Sequence, residues 1–222
     1  MPQPSAETSV VMQNHPASIT SEAYRSLRFN LDRSLEKGLK SIVVTSPGRK
    51  EGRTTTAVNL AAAYAQLGRK VVLVDADLRH PSLHAVFGQT GRKGLADFLS
   101  RPCEVSDIVI ESPVENLSVV YAGAPPLHPT ELLASERMKE LLAELGKNYD
   151  LIIADTSSVL PSTDSRVVAA QCDGVLLVIE FGKVKRSAAK RIASELEHAK
   201  VNLLGIVWNK IRKQEAKAYL YT

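Results

Sequence analysis

Cysteine is scarce. The 222 residues contain two, Cys103 and Cys172. Neither has metal-ligand spacing and two make no disulfide framework, so neither a cysteine-held metal nor a stapled scaffold is expected, and a reducing, cytosolic compartment fits. Long hydrophobic runs are missing: nothing approaches the roughly 20 apolar residues of a membrane span. The most apolar segment, Val167 to Phe181, is broken by Gln171, Asp173 and Glu180. Met1 to Ser18 has neither a basic start nor an apolar core, so no secretory leader is expected there. A membrane role would have to come through a partner. Basic runs interleaved with aromatics are also lacking, which argues against nucleic acid as a ligand. No internal repeat or second domain is apparent.

What is present suits one α/β domain with a full core. Hydrophobic content is 44% and charged content 23%, with a net charge of +4 and a pI near 9.0. A solvated surface with some excess Lys and Arg accounts for that balance; phosphate ligands or an anionic inner membrane face would use the same excess. Residues 1–18 are polar, with Pro2, Pro4 and Pro16, and read as an extended or mobile arm. The domain is expected over 19–212, with a basic tail at 213–222 that carries Tyr219 and Tyr221.

Ser41 to Leu67 organises the chain. A short apolar run, Ile42 to Thr45, leads into a turn with Pro47, Gly48 and Gly52, and Thr54 and Thr55 then open an apolar helix. Strand, glycine-bearing loop and helix N-terminus together form a phosphate site, because successive N–H groups and the helix dipole face an anion. The usual pattern is G-x-x-x-x-G-K-[ST]. Here Gly52 and Thr54 fit, Pro47 stands at the first Gly and Arg53 stands at the Lys.

Two further strands end in acids. Val71 to Val74 is followed by Asp75 and Asp77, and Leu151 to Ala154 by Asp155. In parallel α/β sheets, ligands bind outside the carboxyl ends of strands. Strands alternating with helices predict a doubly wound, mostly parallel sheet flanked by helices, of the P-loop NTPase type. Mg²⁺ uses few protein oxygens; Thr54, Asp75 and Asp155 would hold it directly or through its waters. Asp77 remains free to accept a proton as a general base. Near the N-terminus a helix is expected from Ile19, with Thr20 or Ser21 as its cap. Along it Glu22, Arg25 and Arg28 recur every three residues. They form either a solvated face or a charged self-association surface.

At this point the chain resembles the cytoplasmic kinase of the bacterial tyrosine kinases that govern capsule and exopolysaccharide assembly. The likeness runs from about Thr20 to Tyr221. It rests on Glu22-Ala-Tyr-Arg25-Ser-Leu-Arg28, which matches the family's ring-forming helix. It rests also on Val-Leu-Val-Asp75-Ala-Asp77-Leu-Arg79-His80-Pro81 and on Pro125-Pro126 through Glu131-Leu-Leu. Tyr149 to Thr156 matches the Walker B strand, and Asp173-Gly-Val-Leu-Leu-Val and Leu204 to Asn209 match the last strands. The resemblance implies ATP and Mg²⁺, with Gly48, Lys50, Glu51, Gly52, Arg53, Thr54, Thr55 and Asn209 at the nucleotide, Asn209 near the adenine edge. It implies Arg53, Asp75 and Asp77 as the catalytic set, and Tyr219 and Tyr221 as phosphoacceptors. It implies a homo-oligomeric ring and a membrane partner of the polysaccharide chain-length-determinant type. The kinase would sit in the cytoplasm, peripheral at the inner membrane face.

The departures cluster at the phosphate loop. The family loop Pro-Gly-Glu-Gly-Lys-Ser is here Arg49-Lys50-Glu51-Gly52-Arg53-Thr54, and Ser157-Ser158 replaces Pro-Pro after the Walker B acid. Threonine keeps the Mg²⁺ ligand. Lys50 replaces a glycine where a positive φ or close backbone approach can be needed. Arginine is a wide planar fork where lysine is a compact charge, so transfer is expected to slow. The alternative is a degenerate, nucleotide-binding or inactive regulatory partner in the same pathway. A partition-type ATPase switch is less favoured: those carry a signature Lys where Gly48 stands and lack the Glu22/Arg25/Arg28 helix.

Overall fold

A computed structural model of the protein describes residues 10–36, 38–89 and 93–211. Strands and helices alternate as the sequence predicts. The helices are α1 (Val11–Asn14), α2 (Ile19–Leu35), α3 (Arg53–Ala65), α4 (Leu83–Phe87), α5 (Leu95–Ser100), α6 (Pro129–Leu133), α7 (Glu136–Asn148), α8 (Asp164–Ala169) and α9 (Arg186–His198). The strands are β1 (Ser41–Thr45), β2 (Val71–Asp75), β3 (Val109–Glu111), β4 (Leu117–Val120), β5 (Leu151–Asp155), β6 (Gly174–Glu180) and β7 (Leu203–Asn209).

These strands form one seven-stranded sheet in the order β3-β4-β2-β5-β1-β6-β7. Every pairing is parallel except β3 with β4. The central strands β1, β2 and β5 are buried at all five positions, which is why their sequences are apolar without alternation. Successive side chains still point to opposite faces. Ile42 and Val44 join one core with Leu73 and Ile153, under α3. Val43 joins the other with Val72, Ile152 and the apolar stripe of α7. That stripe is Met138, Leu141, Leu142 and Leu145, at the i, i+3, i+4, i+7 spacing of a helix face. Each fully buried aliphatic side chain contributes roughly 1.5–3 kcal/mol, so this two-sided core fixes the strand register.

Two expectations about the N-terminal region change. Residues 10–18, placed by the sequence reading in an extended arm, pack against the body. Val10 and Met12 are buried, the Met12 N–H donates to Asn59 Oδ1 at 3.0 Å, and Gln66 Nε2 donates to the Met12 carbonyl. Two buried apolar side chains suffice when α3 offers both a greasy face and hydrogen-bond partners. At the start of α2 the cap is Ser18, whose Oγ accepts the Ser21 N–H at 3.1 Å. Thr20 and Ser21 therefore lie within the first turn, and the Ser21 hydroxyl donates to the His15 carbonyl.

Candidate active site

Three central strands deliver the candidate residues to one edge of the sheet. In the parallel register Asp75 at the end of β2 lies opposite Asp155 at the end of β5, and Val44 of β1 lies opposite Asp155 on its other side. The loop after β1 then turns into α3, with its N-terminal N–H groups toward the same edge. Thr54, in the first turn of α3, donates its hydroxyl to Asp155 Oδ2 at 2.6 Å and shares a hydrogen bond with Ser82 Oγ. Asp75 Oδ2 accepts the N–H groups of Ser82 and Leu83 at 3.0 Å each.

Asp75 and Asp155 are both fully buried, and the Oδ1 atom of each is buried without a hydrogen-bond partner. Burial pushes both carboxyls above the usual carboxylate range, and the charge of Asp75 raises Asp155 further. Two adjacent, partly unsatisfied carboxylates with a threonine hydroxyl bonded to one of them are a donor set that a divalent cation fits. Mg²⁺ draws most of its remaining ligands from water and phosphate. Among the described residues no group of three or more Asp, Glu, His or Cys side chains could hold a metal ion by itself.

Arg53 occupies the position of the loop lysine. Its Nη2 donates to Asp77 Oδ2 at 2.8 Å. Its Nη1 donates to Ser158 Oγ at 2.8 Å and to Ser46 Oγ at 3.2 Å. The pair is nearly dry, with side-chain exposures of 12% for Arg53 and 4% for Asp77. The expected general base is therefore held by the loop's own arginine. Asp77 Oδ1 also accepts the His80 N–H.

The loop backbone carries the strain that its sequence suggests. Lys50 has φ of 62°, in the left-handed region, where a side chain costs roughly 1–2 kcal/mol. Gly52 has φ of 96°, and a Cβ there would sit 2.0 Å from Asn209 Nδ2. That amide donates to the Glu51 carbonyl at 2.8 Å, so Asn209 clasps the outside of the loop. Glu51 itself turns inward. It is 2% exposed, and its carboxylate accepts the N–H groups of Gly48 and Glu180. The Gly48 N–H and the Glu51 side chain, expected at the nucleotide, are thus committed to holding the loop shut on β6. Lys50, Glu51, Gly52, Arg53, Thr54 and Thr55 line one hollow of about 320 Å³, together with Lys210. Lys210 Nζ donates to the Lys50 carbonyl at 2.6 Å and to Glu180 at 3.0 Å.

Elsewhere the expected residues divide. Glu22 and Arg25 pair on the exposed face of α2. Arg28 leaves that face: its Nη1 donates to the Ala63 carbonyl of α3, because the guanidinium reaches back across the α2–α3 contact. The exposed neighbour of Glu22 and Arg25 is Phe29, at 73%. Tyr219 and Tyr221 lie outside the described residues. Residues that sequence reasoning passed over are Ser46, Ser82 and Glu180. Ser158 was visible as a change from Pro, but nothing in its spacing showed that its hydroxyl faces Arg53.

A family profile described as an AAA domain matches residues 40–203. The protein is 36% identical over 216 residues to the tyrosine-protein kinase YwqD of Bacillus subtilis, covering 97% of this chain and 91% of that one. Among solved structures, the chimerical protein CapA2B2 superposes with a TM-score of 0.88 at 32% identity, over 93% of this chain and 91% of that one. The kinase domain of the Escherichia coli tyrosine kinase ETK gives a TM-score of 0.88 at 31% identity, over 92% and 80%.

Proposed function

The chain belongs to the bacterial tyrosine kinase family, and on that premise we propose that it is an ATP-dependent protein-tyrosine autokinase regulating capsular or exopolysaccharide polymerisation and export. The observation that carries the reading is the convergence of Thr54, Asp75 and Asp155, with two unsatisfied buried carboxylate oxygens, at the N-terminus of α3. Thr54, Asp75 and Asp155 would hold Mg²⁺, which when bound neutralises charge developing on the phosphates. The loop backbone and the α3 dipole bind the nucleotide's phosphates, with Asn209 at the outer edge of the site.

In the reaction, Asp77 accepts the phenolic proton of a tyrosine. The phenolic oxygen forms a bond to the γ-phosphorus, the bond from that phosphorus to the β,γ-bridging oxygen breaks, and ADP leaves with the electron pair. The acceptors are Tyr219 and Tyr221, presented by a neighbouring copy in a homo-oligomeric ring. A membrane protein of the chain-length-determinant type recruits the kinase to the inner membrane face. No helix among the described residues is long and apolar enough to cross a membrane.

The second reading is a nucleotide-binding or inactive regulatory partner in the same pathway. The Arg53–Asp77 ion pair favours it, since both oxygens of the expected base are already engaged, Oδ2 by Arg53 and Oδ1 by the His80 N–H. A partition-type switch draws support from the fold alone. Incubation of the purified protein with labelled ATP and Mg²⁺, followed by mapping of label on the tail, separates the first two. Label that disappears in Asp75→Ala and in the doubly substituted Tyr219→Phe, Tyr221→Phe protein supports the kinase. No label, even with the partner's cytoplasmic segment added, leaves the regulatory reading.

A further inference from the structure

The guanidinium of Arg53 is held unevenly. Its Nη1 is gripped by two hydroxyls from different strand ends, Ser158 Oγ at 2.8 Å and Ser46 Oγ at 3.2 Å. Its other edge, formed by Nε and Nη2, is the one that grips an oxyanion through two parallel N–H bonds. There Nη2 has a single partner, Asp77 Oδ2, and Nε is buried with none. A buried N–H without an acceptor is costly, so this edge is poised to exchange one carboxylate oxygen for two oxygens of a phosphate.

We propose that Ser158 is the positioning residue that makes an arginine workable in this loop. It fixes the Nη1 edge so that the Nε–Nη2 edge faces the terminal phosphate of a bound nucleotide and releases Asp77 when the phosphate arrives. The inference rests on the nucleotide-binding function proposed above and adds the residue that orients Arg53. Both positions depart together from the family pattern, and the contact supplies a reason: a proline at 158 would offer the guanidinium no acceptor, and a lysine at 53 would need none in that place. Ser46 Oγ and the Gly48 carbonyl are the weaker acceptors, lying farther from Nη1 at 3.2 and 3.5 Å. The exchange also makes nucleotide binding the event that frees the base, so the arginine couples occupancy to proton acceptance.

The test is a double-substitution cycle on the full chain, read in two ways. Calorimetry with a non-hydrolysable ATP analogue and Mg²⁺ should show Ser158→Ala weakening affinity five- to tenfold, and Ser158→Thr, which keeps a hydroxyl, restoring it to within twofold. With Arg53→Lys as background, the Ser158→Ala effect should shrink below twofold. Equal losses in both backgrounds, or failure of threonine to rescue, would overturn the proposal. Denaturant unfolding without nucleotide reads the serine–arginine contact independently. Ser158→Ala should lower the midpoint in the Arg53 protein and not in the Arg53→Lys protein; an equal drop in both sinks the inference. A wild-type protein that binds no analogue, yet shows this coupling in unfolding, overturns the nucleotide-binding function and this inference's phosphate partner, and leaves the positioning of Arg53 by Ser158 standing.

Discussion

Arg53 Nη2 lies 2.8 Å from Asp77 Oδ2, and the two side chains shield one another from water. Breaking such a pair from one side leaves a buried charge alone, which costs roughly 3–5 kcal/mol. Arg53→Ala is therefore expected to destabilise the protein by about 3 kcal/mol in denaturant unfolding. The paired substitution Arg53→Met with Asp77→Leu should recover most of that loss, since neither charge then remains. Additive losses would show that the pair contributes no mutual stabilisation.

Arg53→Lys tests how far the loop limits chemistry. A lysine reaches the phosphate as a point charge and leaves Asp77 less tightly bound. Initial rates of tail labelling with ATP and Mg²⁺ are expected to rise about tenfold, a barrier lower by roughly 1.4 kcal/mol. An unchanged rate would place the limit outside the loop.

The two left-handed residues of the loop should respond in opposite ways. Lys50→Gly removes side-chain strain at φ of 62° and is expected to raise stability by about 0.5–1 kcal/mol, the relief being partly offset by a looser unfolded chain. Gly52→Ala sets a methyl group against Asn209 and should break the Asn209–Glu51 hydrogen bond. Nucleotide affinity should then fall more than tenfold, and the melting temperature should drop. Calorimetry and thermal unfolding of the two variants check both signs.

Asp164 supplies a pH-dependent term. Burial pushes its carboxyl up, but hydrogen bonds from Arg79 and Thr130 outweigh that and hold it below the usual range. The folded protein therefore binds this proton less readily than the unfolded chain. The stabilisation is complete above a pH of about 4 and is lost as pH falls through the folded value. Asp164→Asn should cost about 1–2 kcal/mol at neutral pH, with the gap to wild type closing in acid. Denaturant midpoints measured from pH 7 down to about 3 decide it.

On the proposed ring surface the informative residues are Arg25 and Phe29. Arg28 is engaged with Ala63 inside its own chain, so its replacement would disturb the α2–α3 packing as well as any interface. Arg25→Glu with Phe29→Asp is expected to reduce the mass in solution to that of the monomer, read by light scattering, with the melting temperature little changed. A persistent oligomer would rule this face out.

The strands were legible because burial on both faces leaves no room for polar side chains: Val71 to Val74 and Leu151 to Ala154 announce themselves. The acids at their ends were legible for the same reason, as charges that interrupt an apolar run at the ligand-binding edge. What escaped was the direction of side chains in the loop. Glu51 reads as a polar loop residue beside phosphate, yet a carboxylate that can take two backbone N–H bonds is worth more turned inward. Arg53 reads as a phosphate ligand, but its length and fork let it reach Ser158 and Asp77 across three strand ends. Contacts of that kind depend on tertiary distance, and neither periodicity nor spacing encodes them. Val10 and Met12 escaped because two buried side chains in so short a stretch carry no pattern.

The clasp on the loop comes from Asn209, the last residue of β7, and β7 is one of the two edge strands of the sheet, paired on one side only among the described residues. Leu203, Ile206 and Trp208 leave about half their surface to solvent. Fraying begins at such margins. The grip on the loop is thus tethered to an edge strand, and anything that peels or braces that margin acts as a throttle on the candidate site without touching it.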